Sequence, residues 1–259
     1  MAEDVVRLLK AERAVTRWQA VAQLMNGRRG DLARYASCLA DALQDEHPFV
    51  RWQVGMALAQ CNRAECLGAL WATLEQGSPL GQASATDAML YLRKPDFKPL
   101  LKALTSPHAL VRQSAAEVLA RRRFRGVLPF LLERLSDESP WVRRAAVSAL
   151  GYLRDRRAVE PLIERLADES VLVRRSAAYA LGALRARQAG HALMAALLDP
   201  DAVVRRNASW ALGRIAARAA LPKLEMLLND PALDGEVAEY AGQAISAIHK
   251  RSWRRWLFV

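Results

Sequence analysis

The chain has 259 residues, 52% of them apolar and 25% charged, a composition that allows a continuous core and excludes a disordered chain. Ala and Leu dominate the apolar residues, Gly and Pro are sparse, and apolar runs of period two are missing, so a β-rich fold is excluded as well. The formal net charge is +11, and the excess lies beyond residue 100, where 26 Lys or Arg stand against 16 Asp or Glu; a field of this sign favours anionic partners.

The cysteines and the first residues indicate the compartment. Cys38, Cys61 and Cys66 form no CxxC pair, so we interpret them as small core residues of a reduced compartment. The segment MAEDVVRLLK carries acidic residues where a signal peptide carries basic ones, and no run of 18 apolar residues occurs. We therefore expect a cytoplasmic protein without a transmembrane segment.

Helical segments follow one another along the chain. Thr16 to Met25, Asp45 to Cys61 and Ser78 to Leu92 are each predicted to form the second helix of a helix pair. From residue 100 onward the pattern becomes a repeat of constant period. A valine followed by arginine marks each repeat, at Val111, Val142, Val173 and Val204. A two-residue insertion then shifts the last match to Val237.

One repeat consists of a shorter helix such as AVEPLIERLAD and a longer one such as SPWVRRAAVSALGYLR. The turn between them is rich in Asp, Ser and Pro, which we expect to cap the second helix. The apolar face of that helix comprises Val142, Ala146, Ala149, Leu150 and Leu153. Small residues should let neighbouring helices approach closely, at Ala149, Gly151, Ala180, Gly182, Ala211 and Gly213. A fixed period of 31 residues, the interval between successive repeat valines, predicts about eight stacked helix pairs.

The string D-x-x-x-x-V-R-R-x-A-A-x-A-L-G-x-L followed by R-A-V-x-P-L, at Asp137 to Leu162, resembles the HEAT-like repeat first associated with phycobilisome lyases. The resemblance is strong over residues 100–220 and weaker in the flanks. It implies an all-α fold, an α-solenoid (α-α superhelix) forming a single HEAT-like repeat domain over residues 1–259. RRNASWALGRI at Arg205 to Ile215 is similar to a segment of the E/F-type bilin lyases, although it lies late in this chain. Such repeats occur in lyase subunits, adaptors and scaffolds alike, so the resemblance does not select a function.

A first series of arginines follows the repeat valine directly. Its members are Arg51, Arg112, Arg143, Arg174 and Arg205. A cation near the start of a helix opposes the helix dipole. We therefore expect each arginine to pair with a loop aspartate such as Asp137, Asp168 or Asp199, in its own or the adjacent repeat, and to hold the stack together.

A second series lies in the connections between repeats. It comprises Arg123, Arg154 and Arg185 together with Arg125, Arg156, Arg187 and Arg218. The constant interval between equivalent members predicts one long basic edge. The opposite edge carries Asp137, Glu138, Asp168, Glu169, Asp199 and Asp201. Exposed ion pairs contribute only about 0–1 kcal/mol each, so stability alone does not account for the row; a solvated edge and a binding strip both remain open.

Two further sets of residues recur with the repeat. One set lies two residues after the repeat valine, and the other lies one helical turn further on. The two sets are Trp18, Trp52, Ala83, Gln113, Arg144, Arg175, Arg206 and Glu239, then Ala22, Met56, Asp87, Glu117, Ser148, Tyr179, Trp210 and Gln243. Both sets lie opposite the apolar face of the second helix, on the face that lines the concave surface of a HEAT stack. The predicted partner-binding groove is Arg144, Arg175, Arg206, Tyr179, Trp210 and Arg214.

Arginine offers forked donors and cation–π stacking, and Trp and Tyr add apolar area, so such a groove suits an anion with a planar part. In the alternative interpretation, Tyr179 and Trp210 lean over neighbouring helices as partial core, and Trp18 and Trp52 are buried in the same way. The C-terminal segment 249–259, HKRSWRRWLFV, is unlike the repeats. It either caps the last helix pair or forms a basic and aromatic tail that binds a partner or a membrane surface.

The residues that catalysis requires are not arranged in a known motif. His47, His108, His191 and His249 are scattered, and none is followed by Glu, which excludes the His-Glu pairs of the di-iron HEAT-like hydroxylases. Zinc spacing, GxGxxG, a Walker loop and GxSxG are missing too. Asp87 and Glu117 are possible groove acids or bases, but isolated carboxylates on helices are usually solvated. We assign no catalytic residue, no metal ligand and no cofactor.

Three functions fit this pattern. The first is a non-catalytic scaffold or adaptor that binds an acidic protein segment in the groove. The second is nucleic-acid binding, including base excision by HEAT-like enzymes, which the basic C-terminal half favours. The third is a lyase or chaperone-like subunit that holds a tetrapyrrole by its carboxylate side chains.

Overall fold

The computed structural model describes residues 2–27, 29–61, 63–93, 97–229 and 234–256. Side chains are described for residues 4–27, 32–61, 63–93, 97–124, 126–229 and 234–250. The chain forms two compact units, residues 1–124 and residues 125–259.

Unit 1 (residues 1–124) contains four helix pairs within its described part. Its helices are α1 (Ala2–Leu9), α2 (Ala14–Asn26), α3 (Arg29–Arg34), α4 (Ala36–Ala42), α5 (Pro48–Cys61), α6 (Ala64–Gln76), α7 (Pro79–Ala88), α8 (Lys98–Ala103) and α9 (Ala109–Arg121). Together α3 and α4 take the place of one first helix. The second helices are α2, α5, α7 and α9, so the three segments predicted for this role are confirmed.

Unit 2 (residues 125–259) also contains four pairs within its described part. Its helices are α10 (Leu128–Arg134), α11 (Pro140–Leu153), α12 (Val159–Glu164), α13 (Val171–Ala183), α14 (Gly190–Ala196), α15 (Ala202–Ile215), α16 (Leu221–Leu228) and α17 (Gly235–Trp256). The second helices are α11, α13, α15 and α17. No β-strand occurs among the described residues, so the predicted all-α solenoid of about eight pairs is confirmed.

The turns ahead of α11 and α13 are each held by an aspartate in a way that differs from the expected cap. Asp137 Oδ1 accepts a hydrogen bond from the Ser139 N–H at 3.0 Å, and Asp168 accepts one from Ser170 at 2.9 Å. These bonds span two residues and fix the turn, whereas the Ser139 and Ser170 side chains form no cap bond. A true cap occurs at Asp201, which accepts the Val204 N–H at 3.0 Å.

Close packing of second helices forms the core of unit 2. Val142, Ala146 and Leu150 are fully buried, as the predicted apolar face requires. A Cβ atom on Gly151 would lie 2.7 Å from the Ala180 Cβ, and one on Gly213 would lie 2.9 Å from the Ala244 Cα. The predicted role of these small residues is therefore confirmed, because a larger side chain would push the helices apart.

Two further expectations concern the compartment. Cys61 and Cys66 are buried within unit 1, Cys38 is half-buried, and none of the three forms a disulfide in the described structure. None of the described helices has an apolar stretch long enough to cross a bilayer. The cytoplasmic location stays a prediction.

Candidate functional site

The first arginine series forms an internal network. In α11, Arg143 Nη1 donates to the carbonyl oxygens of Asp137 at 2.9 Å and Glu138 at 3.2 Å. Its Nε and Nη2 atoms each donate to the Asp168 carboxylate at 3.0 Å, and these bonds raise the pKa of Arg143. Arg174 repeats the pattern with Asp199. The expected carboxylate pairing is confirmed for Arg143 and Arg174, and it links each of their repeats to the next. The other members of the series donate to backbone carbonyl groups of their own repeat: Arg51, Arg112 and Arg205.

Arg17 in α2 belongs to the same network, although the sequence analysis did not include it. Its Nε donates to the Asp45 carboxylate at 2.6 Å, and its Nη1 donates to the carbonyls of Ala11 and Glu12. Thr16 replaces the repeat valine here, which hid the match. The Thr-Arg pair at the start of a predicted second helix was the sequence feature that could have identified Arg17 as a member of the series.

The predicted acidic edge is altered by this network. The Asp168 and Asp199 side chains are only 4% and 9% exposed because they bind arginine. Glu138 and Glu169 remain exposed. Much of the acidic charge assigned to that edge from sequence is therefore neutralised internally.

The predicted groove residues lie on the second helices of unit 2, and we call them the second-helix face: Arg144, Arg175, Arg206, Tyr179, Trp210 and Arg214. The rings of Tyr179 and Trp210 stack with centroids 5.0 Å apart and planes inclined by 7°. Arg214 lies over the Trp210 ring at 5.6 Å. Tyr179 is 57% exposed, while the Trp210 ring occupies the space above Gly182. Trp210 is therefore partial core and Tyr179 is open to solvent.

The other arginines of the second-helix face have neighbours of their own. Arg175 Nε donates to Asp201 at 2.8 Å, and this hydrogen bond, opposed by partial burial, lowers the pKa of Asp201 to about 2. Arg206 pairs with Glu236 at 2.6 Å and lies over the Tyr240 ring at 5.7 Å.

Arg144 lies 5.4 Å from the ring centroid of Trp141 and makes a cation–π contact with it. Trp141 and Tyr240 were not predicted from the sequence because they lie outside the repeat positions compared above. Of the predicted set, Tyr179, Trp210 and Arg214 form one contact cluster. The second-helix face therefore consists of aromatic rings and guanidinium groups, and two of its arginines are offset by carboxylates. Its role in binding a partner stays a prediction.

The second arginine series remains exposed in unit 2. Arg154 directly follows α11 and Arg185 follows the C-cap of α13; both are in the left-handed region, with φ of 55° and 52°, and Ala216 directly follows α15 with φ of 55°. Arg156, Arg187 and Arg218 each begin the short 3₁₀ turn that follows. In unit 1, Arg123 ends α9 with φ of 52°. The Arg125 side chain lies outside the described residues, as do the side chains of the C-terminal tail from Arg251 onward.

Unit 1 contains a pocket of about 420 Å³ between α5, α7 and α9. Trp52 lines it, is 45% exposed, and donates its indole N–H to the Tyr91 hydroxyl at 2.8 Å. Phe49 links Trp52 to Trp18, with ring centroids 5.4 and 5.8 Å apart. The alternative in which Trp52 is buried is therefore wrong. Sequence reasoning missed Phe49 and Tyr91 because neither occupies a compared repeat position.

Asp87 and Glu117 both line this pocket. Partial removal from water raises the pKa of Asp87 to about 6. The hydrogen bond with Ser114 opposes the rise, the charge of Glu117 adds to it, and Arg121 and Arg51 oppose it. A carboxyl group in this range can exchange protons near neutral pH. Since no histidine lines the pocket, the residues form no Ser-His-Asp relay there.

No cluster of three or more His, Cys, Asp or Glu side chains suited to a metal ion occurs in the described part of the chain. The absence of a metal ligand and of a cofactor stays a prediction.

Solved structures share the fold. Escherichia coli YibA is similar over 96% of this chain and 93% of its own, at 18% identity and a TM-score of 0.70. A mutant of Kap121p is similar over 95% of this chain and 32% of its own, at 14% identity and a TM-score of 0.71. The complex of CpcE and CpcF of phycocyanin lyase from Nostoc sp. PCC7120 matches over 96% and 94%, at 19% identity and a TM-score of 0.44. The likenesses to YibA and Kap121p concern the fold alone.

Comparison with curated proteins finds no significant match. The family of HEAT repeats matches residues 97–182 and 159–246, which together cover more than half of the sequence. The resemblance stated from the repeat motif is confirmed. The chain belongs to the HEAT-repeat family.

Proposed function

We propose that the protein is a non-catalytic scaffold that binds an acidic segment of a partner protein on the second-helix face of unit 2. The stacked pair of Tyr179 and Trp210 carries the proposal. Tyr179 is 57% exposed although a large aromatic ring gains most from burial, and Tyr, Trp and Arg are the residues that dominate binding energy in protein interfaces.

The arginines of this face supply the charge preference. Arg206 and Glu236 form a surface pair in which Glu236 is 68% exposed, and such pairs contribute only about 0–1 kcal/mol. An incoming carboxylate can therefore take the place of Glu236. Arg175 has a different role, because Asp201, its partner, also caps α15. Arg206 and Arg214 are thus the better candidates for contact with an anionic partner.

The test is the binding of labelled acidic peptides, each carrying one or two large apolar residues, measured by fluorescence anisotropy. A matched set of peptides replaces Asp and Glu with Asn and Gln. We expect the acidic set to bind, and Tyr179→Ala or Arg206→Gln to weaken its binding by about tenfold or more.

The control variant is Phe130→Ala, which removes an exposed aromatic ring from α10, a first helix of the same unit. It should leave the affinity unchanged. Equal binding of both peptide sets, or full affinity of the Tyr179→Ala variant with an unaltered melting temperature, would contradict the proposal.

A further inference from the structure

One edge of unit 2 carries a row of exposed arginines. In the described part of the chain, the guanidinium groups of five residues form neither a hydrogen bond nor an ion pair: Arg154, Arg156, Arg185, Arg187 and Arg218. The acidic residue within these connections is Asp155, which binds Arg157 at 2.8 Å. We call these five residues the basic edge. Their positive charge is not offset by a paired carboxylate, whereas that of Arg143, Arg174 and Arg175 is.

The packing of the second helices aligns the basic edge. Gly151 contacts Ala180, Gly182 contacts Ala211, and Gly213 contacts Ala244, so each second helix meets the next at equivalent heights. The C-terminal ends of α11, α13 and α15 therefore lie side by side. Packed helices are about 8–10 Å apart, so the three ends span about 20 Å.

Backbone conformation gives a second observation. Arg154 and Arg185 occupy left-handed positions, where glycine is favoured because it has no Cβ. Ala216 takes the same conformation at the end of α15, so the turn does not require arginine. This is the ordinary left-handed helix end, and it places Arg154 and Arg185 at equivalent points of successive repeats.

The surroundings of the arginines indicate the class of ligand. Most other residues of these connections are small, namely Ala158, Ala186, Ala189, Ala217 and Ala220, and Asp155 lies between Arg154 and Arg156. The connections lack the aromatic rings that dominate protein interfaces. The forked donors of a guanidinium group match the oxygens of a phosphate group. A strand of duplex DNA has a phosphate about every 3.4 Å, so an edge of about 20 Å faces about six phosphate groups. We infer that the basic edge binds the phosphate backbone of a nucleic acid without reading its sequence.

The experiment measures the affinity of the full chain for a labelled 20-base-pair DNA duplex at a series of salt concentrations. Five phosphate contacts predict that the logarithm of the binding constant falls with the logarithm of the salt concentration with a slope of about −4.5. The double variant Arg187→Gln with Arg218→Gln should reduce the slope by about 1.8 and weaken binding at 0.1 M salt by roughly 10- to 60-fold. Both residues are exposed, so the melting temperature should not change.

The matched control is Arg144→Gln with Arg206→Gln, which removes the same charge from the second-helix face of the same unit. It should keep the slope of the unaltered protein. An equal loss of slope in both double variants would show that only net charge matters and would overturn the inference. Absence of duplex binding at 50 mM salt, or edge-dependent binding of vesicles containing phosphatidylserine but not of the duplex, would overturn it too.

This inference is independent of the proposed function. Tyr179→Ala should leave the affinity for the duplex unchanged, and the basic-edge variant should leave acidic-peptide binding unchanged. Each proposal can therefore fail alone.

Discussion

Single arginines such as Arg143 determine how strongly two repeats are joined. Its guanidinium binds two carbonyl groups of its own repeat and the Asp168 carboxylate of the next. Both side chains are nearly inaccessible to water, at 7% and 4% exposure. Breaking a buried pair leaves a charge without compensation, which costs far more than losing a surface pair.

We therefore expect Arg143→Met to lower the free energy of unfolding by about 3–5 kcal/mol, measured by urea denaturation. Arg156→Met is the matched control, since Arg156 is exposed and unpaired in the described structure, and it should cost less than about 0.5 kcal/mol. Similar losses in the two variants would show that the network does not join the repeats.

Asp87 gives a prediction that depends on pH. Its pKa in the folded protein is about 6, above the ordinary value of 3.8, so the folded protein binds this proton more tightly than the unfolded chain does. The resulting stabilisation is fully present below about pH 4 and is lost as the pH rises through 6. Asp87→Asn should therefore reduce the fall in stability between pH 4 and pH 6, as measured by urea denaturation across that range.

The titration of Asp87 can also be followed directly by NMR of its carboxyl carbon. Glu117→Gln should lower its midpoint because a neighbouring negative charge is removed. Glu75→Gln, which alters an exposed acid elsewhere in unit 1, should leave the midpoint in place. A midpoint near 4 in the unaltered protein would refute the assigned environment.

At the scale of the elements, contact between the second helices of unit 2 depends on glycine and alanine. A Cβ atom on Gly182 would lie 2.5 Å from the Trp210 ring and 2.9 Å from the Ala211 Cα. The Trp210 ring that packs over Gly182 also stacks against the Tyr179 ring. Helix spacing and the aromatic stack of the second-helix face are thus set by one position.

Gly182→Ala should destabilise unit 2 by about 1–3 kcal/mol and change the near-UV circular dichroism of Trp210, because α13 and α15 must separate. Gly242→Ala is the control, since a Cβ there meets nothing within 4 Å. It should stabilise α17 by up to about 1 kcal/mol through helix propensity. An unchanged aromatic signal in the Gly182 variant would contradict the assigned contact.

For the molecule as a whole, the constant repeat period makes the helix pairs of unit 2 interchangeable. Removing residues 156–186, one full period, would join Asp155 to Arg187 and delete α12 and α13. Gly151 would then face Ala211, which occupies the position of Ala180 in the following repeat, and Arg143 would meet Asp199 in place of Asp168. Stability in such arrays is a sum of repeat and neighbour contributions.

We expect this shortened chain to keep its helix content per residue and to melt at a lower temperature, as followed by circular dichroism. Removing residues 156–181 instead breaks the register, because a deletion shorter than one period does not restore equivalent neighbours. That chain should lose helix content. If both deletions behaved alike, repeat register would not govern the packing.

The sequence by itself determined the helix pairs, the small residues at helix contacts and the pairing of Arg143 and Arg174 with a loop aspartate. All three depend on contacts between equivalent positions of successive repeats, and a constant period reproduces such a contact along the chain. Arg143 with Asp168 and Arg174 with Asp199 are both separated by 25 residues for this reason.

Only the tertiary structure decided which charges remain available. Arg144, Arg175 and Arg206 share one repeat position, yet they meet Trp141, Asp201 and Glu236. Trp52 likewise meets Tyr91 across 39 residues, a separation that no repeat implies. These neighbours occupy non-equivalent positions, so their contacts depend on side-chain direction and local residue type, which the period does not encode.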